Sequence, residues 1–576
     1  MRRRTSLTAA LSIGTAFALA SCGIPTGKAP EVIDDAPTDF DSSSGAAPET
    51  FAPTTDAEET VENFLKAVSG DPASRDDRLN IFTANGDAQY SEPGDGIRLI
   101  AGLEAAVRDT GDLETATVNV TGSVVGTYLQ DGLVRMNPTP AEYDETFTLQ
   151  REGFQDSWLM TSLPLQAALD YDYFREVYVQ APMYFQAGQA QLLVPDLRWI
   201  YRELEVETRR RLLLDWLILG PSDFASQSAS TAIPPGTTTK TSTEDGVVQI
   251  ELLLGTTVED DDARDAIAAQ VAWSLGLDGE FVLSADGATL AEGTLTDWRR
   301  WNAIPEALPE TAYFIADDTV WEYAGDQQVT QTSPDHSWVG FSADGLQQVA
   351  VGPGDRIAAI TTGPDGEVLQ TGTSAAVMRA VTGLSGNLTD PQWLDDDTVI
   401  VVDGGVPTAV MPEPAGTQAL AAAGDQVTAM ALAADGRRLA YVQDGLAWVA
   451  PLGLDTDGNI SVGEPRQLGL GIENATDVAW SSENSLWVVG DRNDDQLFRV
   501  AIDNSRIEPQ KGTGAFPQIS QIAANPADPV ESNSDRGEPV IIVANSTLYR
   551  LFTDGPDEVR NGDEPVAGTA PFTVLQ

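Results

Sequence analysis

The chain has 576 residues, of which 88 are Asp or Glu and 33 are Lys or Arg, giving a formal charge of −55. A surface that acidic repels phosphate backbones and anionic lipid headgroups, which excludes nucleic acid as a partner and any membrane contact beyond an anchor. Expected partners are basic, neutral or cationic. The length predicts about three or four domains, and an apolar content of 42 % is ample for their cores.

The chain opens MRRR, and Ser6 to Ala20 (SLTAALSIGTAFALA) carries no charge. That run is shorter than the ~20 apolar residues of a membrane-spanning helix, and a basic start before a short apolar core is the pattern of a secretory signal peptide, here residues 1–21. Leu19, Ala20, Ser21 and Cys22 match the lipobox of bacterial lipoproteins, and Cys22 is the only cysteine. A lone cysteine cannot close an intramolecular disulfide or build a thiolate cluster. Its expected chemistry is S-alkylation by diacylglycerol, cleavage between Ser21 and Cys22, and further N-acylation, for example with palmitate. Cys22 would then anchor the protein on the extracytoplasmic face of the cell membrane. Residues 22–54 are rich in Pro, Ser, Thr, Gly and acid and read as a flexible tether. No later apolar stretch approaches membrane-spanning length, so the remainder is expected to be soluble.

Residues 55–195 are expected to form an α+β domain. In TDAEETVENFLKAVSGD, Thr55 or Asp56 is a candidate helix N-cap, and Val61, Phe64, Leu65 and Val68 fall on one helical face. ETATVNVTGSVVGTYL and ETFTLQREGFQDSWLMTSLP then alternate like strands, with a hairpin turn at REGF. The expected shape is a curved sheet wrapped on helices, similar to cone-like folds of the nuclear-transport-factor type. The segment holds no histidine or cysteine, and its carboxylates show no pair spaced for catalysis.

Residues 196–304 predict a second α+β domain. A helix in ETRRRLLLDWLILGPSD should stop at Gly220-Pro221, and Val247 to Leu254 should form a strand. In DDDARDAIAAQVAWSLG, Ile267, Val271 and Leu275 lie four apart on one helix face behind an acidic start. A hairpin is expected about Asp286-Gly287. Asp260, Asp261 and Asp262 lack the spacing and glycine of a calcium loop, so they read as a helix-capping run.

Residues 305–576 repeat. VGFSADGLQQVAVG, PQWLDDDTVIVVDG, MALAADGRRLAYVQDG and DVAWSSENSLWVVGD each join an apolar pair, a polar turn and an alternating strand. Measured at Asp344, Asp396, Asp435 and Glu483, the intervals are 52, 39 and 48 residues. That is the period of a four-stranded blade, which predicts a β-propeller of about five to seven blades. The strands near VIIVANSTLYRL are expected to close the ring. His336 is the only histidine and no Gly-x-Ser-x-Gly elbow accompanies it, so it reads as a loop residue. Trp393, Trp448, Trp480 and Trp487 read as blade-packing residues that could also line a channel. These observations name no catalytic residue, no metal ligand and no cofactor.

The lipobox, DYFREVYVQAPMYFQAGQAQLLVPDLRWI from Asp172, the LILGPSD to AIPPGT block from Leu217 and the repetitive C-terminal region resemble, in order, the LpqB family of actinobacterial lipoproteins. The middle block is similar to the GerMN domain. The resemblance implies a non-enzymatic accessory protein of the MtrA/MtrB two-component system, associated with the extracytoplasmic domain of the MtrB-like sensor kinase and influencing cell-envelope homeostasis and division. The alternative is an envelope glycan-acting enzyme or glycan-binding protein that uses carboxylates in the propeller channel, a pair the 88 acidic residues leave open.

Overall fold

The computed structural model describes residues 51–575, apart from 87–95, 110–112, 165, 189, 307–309, 325–328, 334–335, 365, 374–376, 412–415 and 531–536. In the first unit, helix Ala57–Ala67 starts at Asp56, whose carboxylate accepts the backbone N–H groups of Glu58 and Glu59. Val61, Phe64 and Leu65 bury on the face the spacing predicts. Strands Gly96–Asp109, Thr115–Leu129, Val134–Gln150 and Leu159–Met160 form an antiparallel meander, and Ala168–Asp170 joins its far edge parallel to the first strand. Register shifts at Leu99/Ile100 and Ala101/Glu104 bend the long strands, as bulges do. Within the curled sheet Phe64 meets Phe82 and Phe147 edge-on at 5.8 and 6.2 Å.

The second core begins at Ala181 and takes in the hairpin of Met183–Gln186 and Leu193–Asp196, so the expected division between 195 and 196 falls inside its second strand. Four strands, Thr238–Glu244, Val247–Leu253, Phe281–Ala285 and Ala288–Gly293, lie in that order. The central two are parallel, and helix Asp261–Leu275 carries the chain between them. This helix is buried around its whole circumference from Ala266 onward, a wider contact than the single stripe of Ile267, Val271 and Leu275 predicts. Its alanines let neighbouring elements approach from several sides. Helix Val206–Leu219 ends at Gly220, whose φ of 96° favours glycine. The hairpin at Asp286-Gly287 has φ of 49° and 83°, as a tight primed turn requires.

Among the described residues, the third region forms six sheets of four or five strands. Their innermost strands, Thr569–Phe572, Leu346–Gly352, Leu388–Trp393, Val427–Leu432, Glu473–Ser482 and Ile519–Ala524, adjoin one another in a closed ring and define blades 1 to 6. Blade 1 takes its outer strands, Ala312–Ala316, Thr319–Tyr323 and Val329–Thr330, from the start of the region and its inner strand from the C-terminus. Tyr313 pairs with Phe572 and Ile315 with Thr569 at that seam.

Two expectations are corrected. Val540–Ala544 and Thr547–Phe552, the strands of VIIVANSTLYRL, are the middle strands of blade 6, and closure falls to the later Thr569–Phe572. Asp344 precedes the inner strand of blade 2, whereas Asp396, Asp435 and Glu483 lie between the inner and second strands of their blades. The equivalent turn in blade 2 holds Asp355, and the intervals become 41, 39 and 48. The apolar-turn-apolar pattern recurs at both ends of a blade, which is why the sequence offers the wrong turn.

Candidate functional site

Two loops at one end of blade 5 gather the polar side chains that join the three units. One links Glu473–Ser482 to Ser485–Arg492, the other links Asp495–Ala501 to Ile507–Pro509, and Ile502 N–H donates to Asn484 O between them at 2.9 Å. Consecutive antiparallel strands place alternate turns at the same end, so both loops face the appended units.

From the first loop, Glu483 accepts the hydroxyl of Tyr184 on one carboxylate oxygen and the Asn302 amide on the other, at 3.0 Å for Asn302. Arg438 of blade 4 donates to the Glu483 carbonyl, forks onto Asp435 at 2.9 and 2.6 Å, and lies 4.8 Å from the Trp480 ring. From the second loop, Asp503 accepts the indole N–H of Trp199 at 2.8 Å, and Ser505 O accepts the Tyr171 hydroxyl at 2.6 Å. Arg506 donates to the carbonyls of Arg175 and Tyr178, each at 2.9 Å, with its guanidinium 4.5 Å from the Trp199 ring. Arg299 pairs with Asp528 at 2.9 Å.

Burial pushes the carboxyls of Glu483 and Asp503 up, against the hydrogen bonds that favour their charged forms. Burial and the adjacent Glu483 push the Tyr184 hydroxyl well up, so it stays a donor. The cavity beside Asn302, Asp435 and Arg438 measures about 10 Å³, room for one water at most. This cluster holds domains together.

The inner strands of the ring carry a second set. Gln348 of blade 2 accepts Asp390 N–H at 2.6 Å and donates to Asp390 Oδ1 at 3.0 Å. Asp390 of blade 3 also accepts from the Met430 backbone of blade 4. Asp477 of blade 5 accepts Ile522 N–H of blade 6 at 2.8 Å, and Gln521 of blade 6 accepts Ala570 N–H of blade 1 at 2.9 Å. A polar side chain on one inner strand thus repeatedly bonds the next blade. The tryptophans Trp393 and Trp480 add indole donors to Ala350 O and Ala431 O of the preceding blades, at 3.3 and 3.1 Å. Burial pushes Asp390 up to about 6, and burial with the neighbouring charge of Asp390 pushes Asp477 up to about 8.

Cys22 and the lipobox residues Leu19, Ala20 and Ser21 lie outside the described residues. No described helix is long and apolar enough to cross a membrane. His336 stands against the rings of Trp338 and Tyr313, with centroids 5.3 and 6.3 Å away. Asp260 caps its helix, Asp261 pairs with Arg264 at 3.2 Å, and the described residues include no group of three or more metal-ligating side chains. Sequence reasoning missed Tyr184, Trp199 and Asp503, and it took Glu483 for a turn marker. No turn signal singled them out, because at the turn between inner and second strands blades 2 and 3 depart from Asp-Gly as blade 5 does.

A closed propeller with two smaller α+β units bonded to its blades defines a multidomain protein. Residues 321–537 match the family model of the lipoprotein LpqB β-propeller domain, and residues 51–175 match that of the LpqB N-terminal domain. Residues 182–291 match a model described as sporulation and spore germination. Lipoprotein LpqB of Nocardia farcinica is 25 % identical over 98 % of both chains, and that of Mycobacterium tuberculosis is 23 % identical over 92 % of this chain and 93 % of its own. Lipoprotein LpqB of Corynebacterium jeikeium is 24 % identical over 73 % of this chain and 74 % of its own. The chain belongs to the LpqB family of lipoproteins.

Proposed function

We propose that the protein is a non-enzymatic accessory subunit of an MtrB-like membrane sensor kinase, held on the extracytoplasmic face by a diacylglyceryl group on Cys22 and influencing envelope homeostasis and division. Its first unit is read as a nuclear-transport-factor-type sheet and its second as a GerMN-type domain. The observation that carries this reading is the locking of both α+β units onto blade 5 through Glu483, Asp503 and Arg506, which makes one rigid surface from three domains. A rigid surface recognises a partner without the cost of ordering its own domains. Confinement of both proteins to one membrane raises their effective concentration, so a weak contact suffices. The charge of −55 suits a neutral or basic kinase surface.

The test is to mix purified residues 55–576 with the kinase's outer domain at two salt concentrations and to measure response-regulator phosphorylation in cells lacking the lipoprotein. Association that weakens with salt, with altered phosphorylation, is expected. No binding and unchanged phosphorylation would overturn the reading.

One observation favours the glycan-acting alternative: Asp390 and Asp477 are interacting acids on the inner strands, one expected ionised and one protonated at neutral pH. Against it, both carboxylates are engaged in bonds that join neighbouring blades. Asp390→Asn and Asp477→Asn separate the readings, since the accessory role predicts unchanged kinase association in both.

A further inference from the structure

Where the chain enters the first unit, Trp158 holds it: its backbone N–H donates to Thr54 O at 2.8 Å and its indole to Thr55 O at 3.1 Å. Beside this clamp lies a groove of about 530 Å³ whose apolar lining includes Val107, Ala116, Phe154 and Trp158. Arg151 organises it. Its guanidinium lies 4.2 Å from the Trp158 ring and 5.0 Å from the Phe154 ring, and it donates to the carbonyls of Leu113 and Phe154 at 2.8 and 3.1 Å. One arginine thereby holds the backbone at both Phe154, 71 % exposed, and Leu113, 69 % exposed. Single exposed apolar residues are ordinary, but an exposed phenylalanine that lines a groove, with an exposed leucine held by its backbone to the same arginine, marks an interaction surface.

The position and the charge of the groove say what it takes. Asp56 and Glu58 line it, and the exposed Glu152 and Asp156 flank Phe154. The chain that precedes Phe51 is itself acidic, with Glu31, Asp34, Asp35, Asp39, Asp41 and Glu49 against Lys28, so the rim repels it. Anionic lipid is repelled for the same reason. Yet Thr55 and Asp56, a few residues after the predicted tether, line the groove, which on the accessory-subunit reading puts it near proteins embedded in the same membrane.

We propose that this groove docks an extracytoplasmic segment of a membrane protein in which apolar anchors are flanked by Lys or Arg. The assignment rests on the accessory-subunit reading and names the place where it is exercised. Phe154 and Leu113 receive the anchors, and the carboxylates of Asp56, Glu58, Glu152 and Asp156 face the basic flanks.

The test uses the full lipidated chain in living cells, with Phe154 replaced by photoreactive p-benzoylphenylalanine. A control carries the same group at Leu219, 68 % exposed in the second unit. A cross-link from position 154 to the kinase's outer domain, absent from position 219, supports both the groove and the kinase reading. A cross-link to a different membrane protein through an apolar-basic outer segment supports the groove and overturns the kinase reading. Cross-links to lipid, to a second copy or to the tether, or none beyond the control, overturn the groove. For the partner so identified, Phe154→Asp with Leu113→Asp should weaken association about tenfold or more at unchanged melting temperature, because both side chains are mostly exposed. Equal affinity would overturn the assignment.

Discussion

The indole N–H of Trp199 donates to Oδ2 of Asp503 at 2.8 Å, joining residues 304 positions apart, both buried. Trp199 packs in the core of the first unit, against Phe174, so the bond ties that core to blade 5, and Arg506 packs on the same indole at 4.5 Å. A buried carboxylate keeps such a site only while its donors are present. Trp199→Phe preserves the apolar ring and removes the donor, leaving Ser505 to satisfy Asp503. It should cost about 1–3 kcal/mol, the usual penalty for an orphaned buried acceptor, in urea unfolding. Limited proteolysis should show faster cleavage between the first unit and the propeller.

The inner-strand acids predict the sign of a pH effect. Asp477 is pushed up to about 8 and Asp390 to about 6, both above their unfolded values. Between about pH 4 and those values the folded chain holds protons that the unfolded chain has released, so stability falls as pH rises. The penalty is absent below pH 4 and fully developed above pH 8. Burial of Glu483 and Asp503 acts in the same direction. Asp477→Asn keeps an acceptor for Ile522 N–H without the charge. It should raise the melting temperature at pH 8, by on the order of a few kcal/mol in stability, and leave it unchanged at pH 4. Calorimetry at both pH values checks this.

The parts legible in the sequence were those written in local chemistry. Asp56 capping its helix, Gly220 ending another and Asp286-Gly287 turning a hairpin each depend on a few neighbouring residues. The propeller was legible because blades repeat. Its closure was not: the closing strand Thr569–Phe572 is four residues long and contains Pro571, whereas the apolar VIIVA that drew the eye is buried inside blade 6. The junction was hidden for another reason. Tyr184 meets Glu483 across 299 positions, and no period or turn motif encodes a pairing at that separation.

The seam of the ring gives a further prediction. Phe572 stacks on Tyr313 at 5.3 Å and lies 6.0 Å from Trp338, while Ala570 N–H and the Thr573 hydroxyl bond Gln521 and Ala524 O of blade 6. Deleting residues 567–576 removes these contacts and exposes the edge of Ala312–Ala316, a template for pairing with other chains. The truncated protein should melt several degrees lower and aggregate, as light scattering will show. A monomer with an unchanged melting temperature would contradict a ring closed by this strand.

The last prediction separates anchorage from recognition. If Cys22 carries the lipid, Cys22→Ser should abolish lipid labelling and leave an unprocessed precursor, because a hydroxyl does not replace the thiolate as the alkylated nucleophile. Two acyl chains hold a protein stably where one holds it marginally, so the unlipidated chain should also be lost from the membrane fraction. The composition of residues 22–54 predicts a flexible tether, for which square-root scaling gives a reach of roughly 30 Å. Within that shallow layer the effective concentration of a membrane partner is far above its solution value, so recognition can be weak in solution and well occupied at the membrane. On the proposed accessory role, removing the anchor should therefore reduce response-regulator phosphorylation in cells severalfold or more while leaving the affinity of purified residues 55–576 for the kinase's outer domain unchanged, because the proposal places the contacts in the folded units. Phosphorylation measured in the Cys22→Ser strain beside binding measured with purified domains decides the matter. Normal processing and membrane retention of the variant would remove the anchor from Cys22, and unaltered signalling despite loss from the membrane would remove the need for confinement.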